Sequence, residues 1–400
     1  MVEMVRRFLR GDESQASMTS KLRRSLVDRG HSIQSESAVG RLLKKSPESS
    51  ANPFPIYRAS VVSRMVEARR WTLGFVLLFV VAMPARFRAP AEAAVPLKLE
   101  TSIALPGFSG DFDHFAVDKK GGRLFLAGED HKTVEVFDLN ANRRIKSIAG
   151  FGTPHAIFYL PESDRILVTD GDKGFLRILR GKDYSEEAHV EGLAGTDSAR
   201  LDAATETLYV ITGGKDVPLD HSFLVAINLR TNEKAGELRI DSNHVEGLEL
   251  ESSSSRMFIN LTDEHAVAVV DRKAMKEIAR WPVGTQADNS PMAYDEPHRR
   301  LLIVCRKPGT LLIMDSDTGK VVTQLPAAER SDDIAFDAAS GRVFVFKQSS
   351  ADQYELLAKV TSEPGAKTCL LVPGLARFYV AVSLGDRKAA AKVLIYRVLS

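Results

Sequence analysis

Residues Asp113 to Gly150 read DHFAVDKKGGRLFLAGEDHKTVEVFDLNANRRIKSIAG. Short runs of aliphatic, aromatic and β-branched residues alternate here with turn-forming Asp, Gly, Asn and Lys. That is the pattern of brief strands joined by tight turns, with no sustained 3.6-residue period. The same order returns down the chain. It opens as PHAIFYLPESDRILVTDG at Pro154, DSARLDAATETLYVITGG at Asp197, HVEGLELESSSSRMFINL at His244, NSPMAYDEPHRRLLIVCRKPG at Asn289, SDDIAFDAASGRVFVF at Ser331 and KTCLLVPGLARFYVAVS at Lys367. With His114, His155, Asp197, His244, Asn289, Asp333 and Thr368 taken as equivalent points, the steps are 41, 42, 47, 45, 44 and 35 residues.

Units of four strands at such a period are the sequence signature of a β-propeller, because each small sheet cannot bury both faces alone and must stack on its neighbours around an axis. The expected fold is therefore all-β, a seven-bladed β-propeller of four-stranded antiparallel blades over residues 97–400. Between Gly341 and Val360 there is room for two strands after the first rather than three, so the sixth blade is expected to be reduced, the alternative being a ring of six full blades and a remnant. The strand-like segment Leu97 to Leu105 precedes the first unit, and the last unit ends after KVLIYRV. An N-terminal strand completing the last blade would tie the two chain ends together.

Upstream of the repeat the charge changes sign. The first 94 residues hold 16 Lys+Arg and 8 Asp+Glu, against 38 and 44 in the remainder. A mildly acidic main domain offers no electrostatic footprint for nucleic acid, and that partner class is set aside. Residues 1–64 are polar, basic and serine-rich, and read as disordered or as an upstream extension from a mis-assigned start, with Met65 the true first residue. Over residues 65–94, Arg69 and Arg70 lead into the apolar run Trp71 to Met83, followed by Pro84 and the small-residue sequence Ala91-Glu92-Ala93-Ala94. This is the plan of a secretory signal peptide. The run has 13 residues, whereas a membrane span takes roughly 20, so cleavage is expected over retention as an anchor. The propeller is accordingly expected in the periplasm or outside the cell, touching membrane only through that segment, and monomeric.

After the signal, the chain resembles the YncE-like, YVTN-repeat family of bacterial propellers. The resemblance is carried by the hairpin VVDRKAMKEIARWPVG, its equivalent LIMDSDTGKVVTQLP, and the first-strand segments FDHFAVD, HVEGLELE, NSPMAYDE, SDDIAFD and GAKTCLLVPGLARFYVAV. The YVTN signature survives only loosely, as in LYVITGG. The resemblance covers about three quarters of the chain and implies a binding or scaffold protein, without an assigned reaction.

In a propeller the first strand of each blade lines the central channel, so equivalent entry positions gather at one mouth. The expected ligand-binding ring is Asp111, Asp113, His114, His155, Asp197, His244, Glu246, Asn289, Asp332, Asp333 and Thr368. Side chains two apart on a strand share a face, which aligns Asp111 with Asp113 and His244 with Glu246. By the same rule Asp113 and His114 face the channel together only if the strand bends. Histidines and carboxylates converging on a funnel suit a cationic or polyhydroxylated ligand, or a divalent metal with His114, His155, His244 and Glu246 as its candidate ligands. Polar residues at strand entries also satisfy backbone groups without any ligand.

His131, His221, His265 and His298 read as surface residues, Arg306 and Lys307 as a solvated turn or, if that turn is on the funnel side, as facing an anionic ligand, and Asp315 to Gly319 as a turn rather than a calcium loop. Cys305 and Cys369 have no metal-type spacing and read as small buried side chains, with a disulfide left open. No phosphate loop, GxSxG elbow or HExxH helix occurs. The leading expectation is a non-catalytic module that binds a small molecule or an envelope protein. Two alternatives are a metal-dependent, lactonase-like hydrolase and a quinoprotein- or haem-type redox propeller subunit.

Overall fold

The computed structural model describes residues 96–400 apart from 330, 338, 341, 344–345, 384–389 and 400. The extension and export segment expected over 1–64 and 65–94 lie outside the described residues. The chain begins with β1 (Leu97–Leu105). Then come β2 (Phe115–Asp118), β3 (Arg123–Gly128), β4 (Thr133–Asp138) and β5 (Arg143–Ala149), and next β6 (Pro154–Leu160), β7 (Arg165–Asp170), β8 (Phe175–Arg180) and β9 (Glu186–Glu191). The third group is β10 (Ala199–Asp202), β11 (Thr207–Gly213), β12 (Ser222–Asn228) and β13 (Glu233–Ile240), and the fourth β14 (Val245–Leu250), β15 (Arg256–Leu261), β16 (Ala266–Asp271) and β17 (Lys276–Pro282). The fifth is β18 (Ala287–Asp295), β19 (Arg300–Lys307), β20 (Gly309–Asp315) and β21 (Val321–Pro326). Last are the short strands β22 (Phe336–Asp337), β23 (Arg342–Val343), β24 (Phe346–Ser350) and β25 (Gln353–Leu356), followed by β26 (Ala366–Val372), β27 (Arg377–Val382) and β28 (Ala391–Val398).

Each group forms a four-stranded antiparallel sheet in chain order, except that β1 adds to the outer edge of β26-β27-β28. The fold is a β-propeller. Leu97 to Leu105 pairs along β28, from Leu97 opposite Val398 to Leu105 opposite Ala391, so the two ends of the propeller share one blade. Among the described residues six sheets are full blades, the alternative reading of the repeat, where its leading reading predicts seven. The sheet β22–β25 is a rudiment: β22 and β23 have two residues each, paired only through Phe336 with Val343 and Asp337 with Arg342. The residue pattern predicts two strands after the first there, and the chain makes three very short ones. The cause is economy of chain, since this unit has the shortest step and gives residues 357–363 to a strandless connection.

The two middle strands of each full blade are nearly continuous apolar runs, buried on both faces, while outer strands such as β5 are largely exposed. Their side chains interlock with the next sheet. Phe125, Val134 and Val136 pack with Ile157, Ile166 and Val168, and Leu124 and Phe115 pack with Tyr379, Val393 and Ile103 across the closure. Burial of this kind, at about 25 cal/mol per Å² of apolar surface, is what holds sheet to sheet. Hairpins turn on side-chain caps: Asp138 Oδ1 accepts from the backbone N–H of Asn140 and Ala141, and Asp315 Oδ1 from those of Asp317 and Thr318. The segment Asp315 to Gly319 is thus a capped turn. Gly319 adopts φ +70°, and a Cβ there would run into the Trp281 ring, so glycine is required by both conformation and space.

Candidate functional site

Where each full blade's innermost strand begins, two of its residues oppose one on the neighbouring strand. Asp113 N–H donates to the carbonyl of Ala127 at 3.0 Å, while Ala127 N–H returns to that of His114 at 3.1 Å. Asp197 and Ser198 bracket Ile211 in the same way, at 3.4 and 2.9 Å. Pairing also shifts between Pro154 and Ile157, Val245 and Leu248, Asn289 and Met292, and Ala366 and Cys369. A β-bulge bends its strand and re-aims side chains, which lets neighbours in sequence share one side. It supplies the bend that Asp113 and His114 need: both line the central cavity, as do Lys367 and Thr368.

The bulges identify the true equivalent positions: Asp113, His155, Asp197, Glu246, Ser290 and Lys367. In the rudimentary sheet Asp332 stands five residues before Asp337, the offset of Asp113 from Asp118. These seven residues line a cavity of about 860 Å³ at the head of the innermost strands. Two of the sequence-derived ring residues precede the bulge and stand outside the lining. Asn289 is fully buried, its amide donating to Asn260 Oδ1 at 3.0 Å and to the Ala266 carbonyl at 2.9 Å, so its work is to tie strands together. His244 reaches the site only through Glu246, with Nε2 to Oε1 at 2.6 Å. Asp111 also lies off the lining, ion-paired with Lys367. The remaining expected residues, Asp113, His114, His155, Asp197, Glu246, Asp332, Asp333 and Thr368, all line the cavity.

Asp113, His114, His155, Asp197, Asp333 and Thr368 form one network. His155 Nδ1 lies 2.7 Å from Asp113 Oδ2 and 3.7 Å from Asp197 Oδ1, and His114 sits 3.5 Å from both Asp113 and Asp333. Asp333 also accepts from the Thr368 hydroxyl and, at 2.7 Å, from the Cys369 N–H, bridging the rudimentary sheet to the last blade. Burial disfavours the imidazolium of His114, but the carboxylates of Asp113 and Asp333 overcome it and push its pKa up to about 10. His155 goes the same way, against burial, to about 9 through Asp113 and Asp197. Burial pushes the Asp113 carboxyl up, yet the two histidines hold it below its ordinary value.

Other acids are not compensated. Burial, aided by the charge of Asp113, raises Glu129 to about 7, and burial with the charge of Glu246 raises Asp197 to about 6. Among the described residues no hydrogen bond or ion pair reaches the Glu129 carboxylate. Half-buried carboxylates short of hydrogen-bond donors, Asp197 having only its 3.7 Å ion pair with His155, are the electrostatic mark of a binding or catalytic site more than of a structural one.

Among the further charged residues that line the cavity and that the strand-entry pattern does not pick out are Glu129, Lys215, Lys367 and Arg306, the last of them read chiefly as part of a solvated turn. Arg306 pairs with Asp332, whereas Lys307 pairs with Asp288 and is three-quarters exposed. Topology carries a signal for three of them. In an antiparallel hairpin the second strand ends where the first begins, so residues at or just after the second strand, such as Glu129, Lys215 and Arg306, arrive at the channel mouth. Of the histidines expected at the surface, His298 bonds Asp295 at 2.9 Å and is half exposed, and His265 bonds the Thr262 carbonyl locally. His221 is only 16% exposed and bonds Asp220, and His131 stacks on Phe108. Cys305 and Cys369 are free thiols, both pushed up by burial, Cys305 to about 12.

No family model matches this sequence, and no curated protein is significantly similar to it. Solved structures are similar in fold. A chain of Kuenenia stuttgartiensis hydrazine synthase matches with a TM-score of 0.53 at 14% identity, over 60% of this chain and 84% of that one. A chain in the crystal structure of a mitotic checkpoint complex matches with a TM-score of 0.61 at 14% identity, over 82% of this chain and 99% of that one. At such identity the likeness speaks for the propeller fold alone, and the site has to be read from its own chemistry.

Proposed function

We propose that this protein is an exported, YncE-like β-propeller that acts as a binding module, holding a small cationic or polyhydroxylated molecule in the mouth of its channel. The observation that carries this reading is the set of strand-entry bulges, which deliver Asp113, His155, Asp197, Glu246 and Lys367 into one cavity where the half-buried carboxylates outnumber the hydrogen-bond donors that reach them. Nine acidic residues and four Lys or Arg line that cavity. A positively charged or hydroxyl-rich guest offers the donors that Glu129 and Asp197 lack. In this reading the ring has seven positions, the rudimentary sheet filling the sixth, and the molecule is a monomer in the periplasm or outside the cell. The order Arg69-Arg70, Trp71 to Met83 and Ala91 to Ala94 supports export, with Met65 as the start. Mass spectrometry that finds peptides from residues 1–64 in the native protein would refute the start.

The direct test is a thermal-shift screen of chelator-treated protein against polyamines, amino sugars and polyols. A true guest raises the midpoint in proportion to log concentration, and Asp197→Asn with Glu246→Gln removes the shift. If no compound of these classes shifts the protein, or the double variant responds like the parent, the ligand reading is wrong. A second reading, a metal-dependent hydrolase, is favoured by one observation: Asp113, Glu129 and His155 each offer a ligand atom within 4.8 Å of the others. A metal there would lower the pKa of a bound water and make it a nucleophile. Hydrolysis of a lactone panel only in the metal-loaded form would replace the binding reading.

A further inference from the structure

We infer that Asp113, Glu129 and His155 form a binding site for one divalent first-row transition ion of the zinc or manganese type. The inference rests on reading the channel mouth as a binding site and names what its most acidic corner takes. The set differs from the one the sequence suggests, because His244 stands off the cavity and Glu246 is engaged with it.

Three observations converge. The donor atoms of the three residues lie within 4.8 Å of one another, close enough to share one ion. They come from different places in the fold: the bulge entering β2, the end of β3 and the bulge entering β6. The 2.7 Å contact between Asp113 Oδ2 and His155 Nδ1 holds two of them in register across the blade boundary. Second, the Glu129 carboxylate has no hydrogen-bond or ion-pair partner among the described residues, so it makes no structural bond that an ion would break. Third, Thr196 is fully buried and lines the same cavity, and its hydroxyl has no hydrogen-bond partner among the described residues. The residue adjoins the histidine, since the Thr196 carbonyl oxygen and His155 Nε2 both lie within 3.0 Å of where a Gly171 Cβ would stand.

Space is kept open beside the histidine. A Cβ at Gly171 would stand 3.0 Å from His155 Nε2 and 2.7 Å from the Thr196 carbonyl oxygen, so any side chain there would press on the imidazole. One imidazole with two carboxylates favours zinc or manganese over the hard cations calcium and magnesium, which prefer all-oxygen shells.

The test uses full-length protein stripped with EDTA, dialysed, and titrated separately with ZnCl₂, MnCl₂, CaCl₂ and MgCl₂ by calorimetry, with bound metal counted by inductively coupled plasma mass spectrometry. The expected result is one zinc or manganese ion per chain, with calcium and magnesium at least tenfold weaker. Glu129→Gln should weaken binding at least tenfold while circular dichroism stays unchanged, because no internal bond is lost. Asp113→Asn is the second variant, and His298→Ala, far along the chain at an exposed turn, should bind like the parent. Absence of saturable binding, equal binding of calcium, retention of affinity in both Glu129→Gln and Asp113→Asn, or equal loss in His298→Ala would each overturn the site. Because the screen for organic guests is run on stripped protein, a guest shift that persists without metal binding sinks the metal site and spares the binding module.

Discussion

Two glutamates, each just past the end of a strand in the inner half of its blade, have opposite fates. Glu251, just past the end of β14, is almost wholly buried and accepts from Arg256 twice at 2.7 Å, from the Tyr294 hydroxyl at 2.9 Å, and from Ser254 and Arg299. Burial alone would raise its pKa, but these donors pull it down to about 2. Arg256 and Arg299 are themselves braced by Asp317, so the whole cluster closes on itself. Glu129, at the channel mouth, has burial without donors and is pushed up to about 7. Both clusters are ionic and both adjoin a channel strand. The difference teaches that a polar cluster satisfied internally holds sheets together, whereas one left short of partners is kept for something that arrives from outside.

The largest effect expected on breaking this contrast is at the satisfied end. Glu251→Ala leaves the part-buried Arg256 and Arg299 facing each other and should cost about 3–5 kcal/mol of stability, measured by urea unfolding. A loss below about 1 kcal/mol would show that the cluster is ornamental.

Next comes pH. Glu251 has a lowered folded pKa, so its contribution is complete above about 4.5 and disappears as pH falls toward 2. His114 and His155 have raised folded values, so theirs is complete below 6.5 and is lost as pH rises through about 9 and 10. Glu129 and Asp197, raised to about 7 and 6, bind protons more tightly folded than unfolded and so stabilise as pH drops through those values. All three trends place maximal stability of the metal-free protein near pH 5. Thermal midpoints that climb from pH 5 to 9 would contradict the assignment.

A smaller change of opposite sign is expected at the mouth. Glu129→Gln should stabilise the stripped protein by about 1 kcal/mol at pH 8, allowing for solvent access, and by nothing measurable at pH 5, where the acid is already protonated. Destabilisation at pH 8 would mean that Glu129 has a structural partner after all. The smallest effect belongs to the partly exposed pair of Asp111 and Lys367. Asp111→Asn should cost less than about 1 kcal/mol in the same unfolding assay.

Much of the fold is legible in the order of residues. The β-propeller, its four-stranded antiparallel blades and the strand from Leu97 to Leu105 that joins the last blade all follow from alternation and period, because burying a sheet's two faces imposes a local pattern on every strand. The blade count is less legible. A unit such as Ser331 to Leu356 keeps the look of a blade while its two inner strands shrink to two residues each, and pattern does not measure pairing length. At the site, Asp113, His155, Asp197 and Glu246 stand out as polar breaks at strand entries. Asn289 and His244 stand out for the same reason, yet the positions that face the cavity lie one and two residues further on, since a bulge is a matter of backbone pairing and leaves no fixed letter in the chain.

By itself, then, the amino-acid order determined the class of fold and the end of the channel where polar residues collect, since both depend on the burial preferences of residues a few positions apart. Tertiary structure alone decided that Glu129 meets Asp113 and His155, that Arg306 turns inward to Asp332, and that the charge of Glu251 is matched by donors while that of Glu129 is not. Those facts depend on which groups end up within a few ångströms of one another out of water, and at that range Coulomb energy and desolvation outweigh anything a residue's neighbours in sequence can specify.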